Sequence, residues 1–227
     1  MKTSMKLSER DVWIIVALTS IFTSSLIIAN IVAGIKIANI FGFILPAGFL
    51  AYAITFPITD VVDEVYGRRL ATYIVWAGFI ANITMLLLIG ASYIMPPLNP
   101  GMQKLYAMTF NVTWRIVLAS MLAYLISQHH DVWAFLLWKR LTNGKWLWLR
   151  NNMSTITSQL MDTVLFITIA FYGIIPLNLL LQMVMWQWLW KAFIALCDTP
   201  FVYLGVWLCK GGLKYYSPAA IRTIQGK

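Results

Sequence analysis

Charge is what this chain has least of. Of its 227 residues, 11% are Asp, Glu, Lys or Arg, against about 25% in a soluble domain. Only eight are acidic, so each carboxylate can be weighed singly. Cysteine is scarce as well. Cys197 and Cys209 are the two present, and without CxxC spacing they indicate neither a disulfide framework nor a zinc site. The two histidines, His129 and His130, are adjacent and point in different directions, with no i, i+4 partner for a metal. No metal or other cofactor is expected. The P-loop pattern is missing, so ATP hydrolysis by that route is excluded. There is also no long polar segment that could form a second domain, and residues 1–227 are expected to make a single membrane domain.

Apolar residues are what the chain has in abundance. It is 60% hydrophobic with a mean hydropathy of +0.76, the composition of an integral membrane protein. A hydrocarbon core of about 30 Å takes about 20 helical residues. On that measure the sequence predicts an all-α bundle of six spans, near 12–37, 43–66, 70–94, 108–138, 153–173 and 177–209. Met1 to Arg10 is a short polar tail. The apolar run after it is too long for the core of a cleaved signal, so it reads as the first span. Met95 to Ala107, with Pro96, Pro97, Pro100 and Gly101, is expected to be a turn-rich outer connection.

The net charge of +9 would suggest nucleic acid in a soluble protein. Here the basic residues fall between spans instead. Lys2, Lys6 and Arg10, then Arg68 and Arg69, then Lys139, Arg140, Lys145 and Arg150, then Lys210, Lys214, Arg222 and Lys227 all lie on one side. The other side has Lys36 and Lys104, with Arg115 a few turns into the fourth span. The positive-inside rule then places both termini in the cytoplasm of a multi-pass inner-membrane protein, with lipid rather than nucleic acid as its surroundings.

Against that background the intramembrane polar residues stand out. A charge at the bilayer centre costs roughly 2.5–3.5 kcal/mol on insertion scales, so ionisable groups there mark a site by default. In the fifth span Thr155, Gln159, Asp162 and Phe166 fall four, three and four apart, on one helical face. Gln159 both accepts and donates, while an ionised Asp162 only accepts. The pair suits a ligand edge rich in N–H donors, although an interhelical hydrogen-bond seam explains it too. In the sixth span Gln187, Lys191 and Asp198 share a face, and Pro200 is expected to kink the helix beside Asp198. Lys191 is a natural neutraliser of Asp162 or of Asp198.

The fourth span offers Ser127, Gln128 and Asp131. They lie inside it if the apolar pattern from Trp133 to Trp138 continues the helix, and are interfacial if the helix stops near Gln128. In the second span Asp60 is the deep carboxylate, while Asp63 and Glu64 serve equally to balance Arg68 and Arg69. In the first, Asn30 sits near mid-span among Ala29, Ala33 and Gly34, small residues that favour close packing. Three carboxylates, Asp60, Asp162 and Asp198, against Arg115 and Lys191 leave an excess of one. A cationic or donor-rich substrate, or a bound proton, would answer it. Asp60 in span two and Asp162 in span five also hint at an inverted repeat. Most of the eleven tryptophans are expected at the membrane interfaces, and none is singled out as a stacking residue.

Several short strings occur in order. They are Thr59-Asp60-Val61-Val62-Asp63-Glu64-Val65-Tyr66-Gly67, Ser127-Gln128 with Asp131, Trp148-Leu149-Arg150-Asn151, Ser158-Gln159 with Asp162-Thr163, and Lys191 with Asp198-Thr199-Pro200. Together they resemble the queuosine precursor transporter family, also called the vitamin uptake transporter family, over about Asn30 to Pro200. The resemblance implies a six-helix inner-membrane importer of 7-cyano- or 7-aminomethyl-7-deazaguanine. It marks Asn30, Asp60, Gln128, Asp131, Gln159, Asp162, Gln187, Lys191 and Asp198 as the positions to suspect. Oligomeric state is left open, with a homodimer as one arrangement. Two other readings compete. One is the substrate-capture subunit of an energy-coupling-factor vitamin importer, which would need energising partner proteins. The other is an intramembrane aspartyl enzyme using Asp162 and Asp198, whose known sequence contexts are missing; no enzymatic activity is expected.

Overall fold

The computed structural model describes residues 8–142, 147–197 and 199–209. Helix α1 (Glu9–Ile35) starts from a reciprocal cap. The Asp11 N–H donates to Ser8 Oγ at 3.2 Å, and the Ser8 N–H donates to Asp11 Oδ2 at 2.9 Å. The 27 residues of α1 run roughly 40 Å, more than the hydrocarbon core requires.

The chain then turns back on itself. Strands β1 (Ile37–Ile40) and β2 (Phe43–Pro46) pair antiparallel, with Ile37 opposite Pro46 and Ile40 opposite Phe43. At the tip Phe41 and Gly42 both take positive φ, 52° and 91°, the two-residue turn whose twist matches the strands. The Gly42 N–H donates to the Asn39 side-chain oxygen at 2.9 Å. This hairpin corrects the purely helical expectation and the start of the second span at residue 43. Short apolar runs do not separate strand from helix by periodicity.

The rest of the expected second span is two helices, α2 (Phe49–Ala53) and α3 (Thr55–Tyr66), meeting at Ile54. Pro57 is the reason. With no N–H it cannot bond the carbonyl four residues back, so it belongs in the first turn of a new helix. Gly48 lets α2 lie against α1, since a Cβ there would sit 2.1 Å from the Ala29 carbonyl oxygen. Gly67, at φ 88°, joins α3 to α4 (Arg68–Ile94) and donates to the carbonyls of Val62 and Asp63.

The outer connection is also more ordered than expected. Helix α5 (Pro100–Phe110) has Asn99 as its cap, accepting from the Met102 N–H at 3.0 Å, and Pro100 at its first position. Pro there starts a helix rather than breaking one. Helix α6 (Thr113–Leu141) is as long as the continuous reading of the fourth span demands, so Ser127 and Gln128 lie well inside it. Helix α7 (Leu147–Phe171) follows, then α8 (Leu177–Cys197) and α9 (Thr199–Cys209), which together occupy the range of the expected sixth span. Because α7 is continuous where α2 and α3 are broken, the helices carrying Asp60 and Asp162 do not share a shape.

Among the described residues, four helical segments are long and apolar enough to cross a membrane: Glu9–Ile35, Arg68–Ile94, Pro100–His130 and Met153–Phe171. Their outward faces carry bare Trp13, Ile80, Leu87, Leu88 and Trp114, a distribution suited to lipid and not to water. Inside, one apolar cluster joins Ala33, Ile116, Ile167, Leu180 and Met183 across α1, α6, α7 and α8. A second joins Phe22, Leu26, Ile58, Val62 and Ile74 across α1, α3 and α4. Polar side chains are buried with them, including Asn30, Asn82, Ser127, Ser158, Asp162, Gln187 and Lys191.

Candidate functional site

Asp162 and Lys191 form the centre of that polar layer. Helix α7 supplies the carboxylate and α8 the ammonium, and Nζ donates directly to Oδ2. Each residue is only 7% exposed. Burial removes the water that would solvate either charge, so each depends on the other. The second carboxylate oxygen, Oδ1, lies 3.4 Å from Ser127 Oγ of α6, a hydroxyl that also reaches the Tyr124 carbonyl at 3.1 Å. One hydroxyl has one proton to donate, so Oδ1 retains capacity for another donor. From α2, the ring of Tyr52 lies with its centroid 5.4 Å from Nζ, a cation–π contact.

Beside this pair are two amide oxygens with nothing bonded to them. Gln159 Oε1 and Gln187 Oε1 are buried and without a hydrogen-bond partner among the described residues. A buried acceptor left unpaired costs about 1–3 kcal/mol, which an incoming N–H donor would recover. Asn30 of α1 donates to Asn82 Oδ1 of α4 at 2.7 Å, and Asn82 donates on to the Gly78 carbonyl at 2.9 Å. These bonds tie α1 to α4 and hold Asn30 at the cavity wall.

Two spaces open from the pair. The inner chamber lies among α1, α2, α6, α7 and α8 and is lined by Asn30, Phe49, Asp162, Phe166, Gln187, Trp190 and Lys191 among others. Strand β2 covers one end through Pro46. Phe43 beside it packs edge-on against Trp186, with centroids 4.3 Å apart, and Phe49 lies 5.8 Å from Trp190. The other space is a polar vestibule among α3, α4, α6 and α7, lined by Thr59, Asp60, Asp63, Arg68, Ser127, Gln128, Gln159 and Asp162 among others.

The structure therefore gathers Asn30, Asp162, Gln187 and Lys191 at one chamber, and Asp60, Gln128 and Gln159 with Asp162 at the other. Asp60 and Gln128 are exposed within the vestibule. The Asp131 side chain and Asp198, and with them the dyad of Asp162 and Asp198, lie outside what the structure describes. Thr155, expected on the same face as Asp162, is exposed instead. Arg115 is engaged by backbone carbonyls. Its Nε and Nη2 donate to the carbonyls of Ile169 and Tyr172, both at 2.6 Å, capping the end of α7.

Sequence reasoning passed over Tyr52, Phe56, Asn82 and Ser120, and did not separate Trp190 from Trp186 and Trp188. Asn82 was within reach, since the rule that picks out Asp162, a polar group deep in an apolar span, applies equally to the middle of α4. The others are residue types common in any bundle, and only the fold places them at the cavity.

The same chain has relatives. The family described as "Putative vitamin uptake transporter" matches residues 46–205. A protein of Bacillus subtilis (strain 168) named "Probable queuosine precursor transporter" is 32% identical over 171 residues, 74% of this chain and 75% of that protein. The "Queuosine precursor transporter" of Escherichia coli (strain K12) is 30% identical over 134 residues, 59% of this chain and 58% of that one. No solved structure matches. The family match spans most of the bundle, from the end of β2 into α9, and the chain belongs to the vitamin uptake transporter family: it is a multi-pass membrane transporter and not an enzyme.

Proposed function

We propose that this protein imports queuosine precursors, 7-cyano-7-deazaguanine and 7-aminomethyl-7-deazaguanine, across the inner membrane. The observation that carries the reading is the buried Asp162–Lys191 pair flanked by the unpaired oxygens of Gln159 and Gln187. The guanine-like edge of a 7-deazaguanine presents adjacent N–H donors and a carbonyl oxygen. At the inner chamber its donors meet Asp162 Oδ1 and Gln187 Oε1 and its carbonyl meets Lys191, while Gln159 Oε1 serves the vestibule. Aromatic rings at Tyr52, Phe166 and Trp190 give the flat ring apolar walls. The relatives' names point to the same ligand class.

The chain crosses the membrane six times in this reading. The four long spans are joined by α2 with α3 and by α8 with α9, and the basic connections set both termini in the cytoplasm. It acts without energising partner proteins. Purified protein tests the ligand. Radiolabelled 7-cyano-7-deazaguanine is expected to bind saturably, to be displaced by the unlabelled compound and not by adenine, and to lose roughly tenfold or more in affinity with Asp162→Asn. Equal binding by wild type and Asp162→Asn would refute the assignment.

A further inference from the structure

The two spaces at the site differ in size and share a wall. The inner chamber has about 50 Å³ of room for water centres and the vestibule about 430 Å³. One water needs roughly 10–15 Å³ on that measure, so the inner chamber as it stands holds a few waters and no fused-ring heterocycle. The vestibule has room for one. Tyr52, Phe56, Ser120 and Asp162 line both spaces. Of these, Tyr52 and Phe56 face each other edge-on with centroids 5.1 Å apart. They sit on opposite sides of the break at Ile54, Tyr52 on α2 and Phe56 on α3. A change of angle at that break moves one ring against the other without unwinding either helix, the behaviour of a hinge at an element terminus.

We propose that the vestibule is a second ligand station and that Tyr52 and Phe56 form the gate between it and the inner chamber. The ligand is the planar, donor-rich heterocycle of the preceding section, and this part of the inference rests on that reading. The vestibule has acceptors for its N–H edge in Asp63, Gln128 and the unpaired Gln159 Oε1, and flat rings in Phe79 and Tyr124. Asp162 belongs to both stations, so a ligand can pass from one to the other without giving up its contact with the carboxylate. The vestibule opens toward the end of the bundle where Arg68 begins α4, while β2 and α2 cover the inner chamber at the opposite end. The wider space thus lies toward the Arg68 side and the narrower one toward the hairpin side.

Reporter cysteines test the gate without any ligand. In protein carrying Cys197→Ser and Cys209→Ser, Thr72→Cys marks the vestibule and Ala123→Cys the inner chamber, each lining one space and not the other. A small membrane-impermeant thiosulfonate is applied to sealed vesicles of each orientation. Thr72→Cys is expected to react from one side only. Ala123→Cys is expected to react from that same side at least tenfold more slowly. Adding Phe56→Ala should speed Ala123→Cys about fivefold or more, Phe56→Trp should slow it, and neither should change Thr72→Cys. Equal rates at the two positions, reaction of Ala123→Cys from the opposite side, or indifference to both Phe56 variants would overturn the gate. With 7-cyano-7-deazaguanine added, protection of Thr72→Cys is expected. Protection of Ala123→Cys alone would overturn the vestibule as a station. Protection of neither would count against the deazaguanine reading, while the ligand-free rates still decide the gate.

Discussion

Lys191 of α8 donates to Asp162 of α7 inside a protein whose outer faces are Trp, Leu and Ile. The pair joins two neighbouring helices and leaves one carboxylate oxygen beside Ser127. Removing one member of a buried pair strands the other charge, at a cost of about 3–5 kcal/mol, whereas replacing both is often near neutral. Asp162→Asn and Lys191→Met are each expected to lower the melting temperature of the purified protein markedly. The double variant should regain most of that stability and still fail to transport. Additive losses in a thermal-shift series would show that the two side chains do not depend on each other.

The pair also bears on which precursor is favoured. On the proposed function a neutral 7-cyano compound would bind beside Lys191 without disturbing it, whereas the ammonium of the 7-aminomethyl compound would compete with Lys191 for Asp162. Lys191→Met frees the carboxylate for a ligand cation. The affinity ratio of aminomethyl to cyano compound is expected to rise roughly tenfold in that variant, the size of one charge-assisted hydrogen bond. An unchanged ratio in competition binding would mean that the 7-substituent lies away from the pair.

Gln187 separates a binding role from a packing role. Its side-chain oxygen is buried without a partner among the described residues, so the folded protein gains little from it. Gln187→Leu removes a polar group of that kind and is expected to leave thermal stability unchanged or slightly raised. Ligand affinity should fall about fivefold to tenfold. A large loss of stability with unchanged affinity would reverse the assignment.

Gly48 is expected to tolerate no side chain. The Ala29 carbonyl oxygen would lie 2.1 Å from a Cβ there, and backbone cannot step aside as a flexible side chain can. Gly48→Ala should push α2 from α1 and lower both folded yield and stability. Gly90→Ala, where an added Cβ meets nothing within 4 Å, is the control and should behave as wild type.

Much of the candidate site was legible because charge is so rare. Asp162, Lys191 and Gln187 interrupt apolar runs, and their spacing fixes which helical face they share. That Lys191 meets Asp162 was not legible, because Asp162 and Asp198 are equally good partners on paper and it is the packing of α8 against α7 that brings Lys191 to Asp162. Trp190 could not be told from Trp186 and Trp188, since all three alternate within five residues of one helix. The hairpin was missed because Ile37–Ile40 and Phe43–Pro46 are apolar runs too short to show a period, and the Phe41-Gly42 turn hides a bulky residue in a position that usually takes Asn or Gly. Pro57 and Pro100 were the readable signals for the start of α3 and of α5, positions where proline begins a helix instead of ending one.

Uptake decides most directly whether the protein works as a precursor importer. The chain would be expressed in a bacterium that cannot make the precursor, lacks its own importer and has no energy-coupling partners, then supplied with nanomolar 7-cyano-7-deazaguanine. Queuosine in tRNA is the readout. Wild type is expected to restore it and Asp162→Asn, present in the membrane at equal amount, is expected not to. No restoration by wild-type protein shown to be in the membrane, or full restoration by Asp162→Asn, would contradict the proposed function.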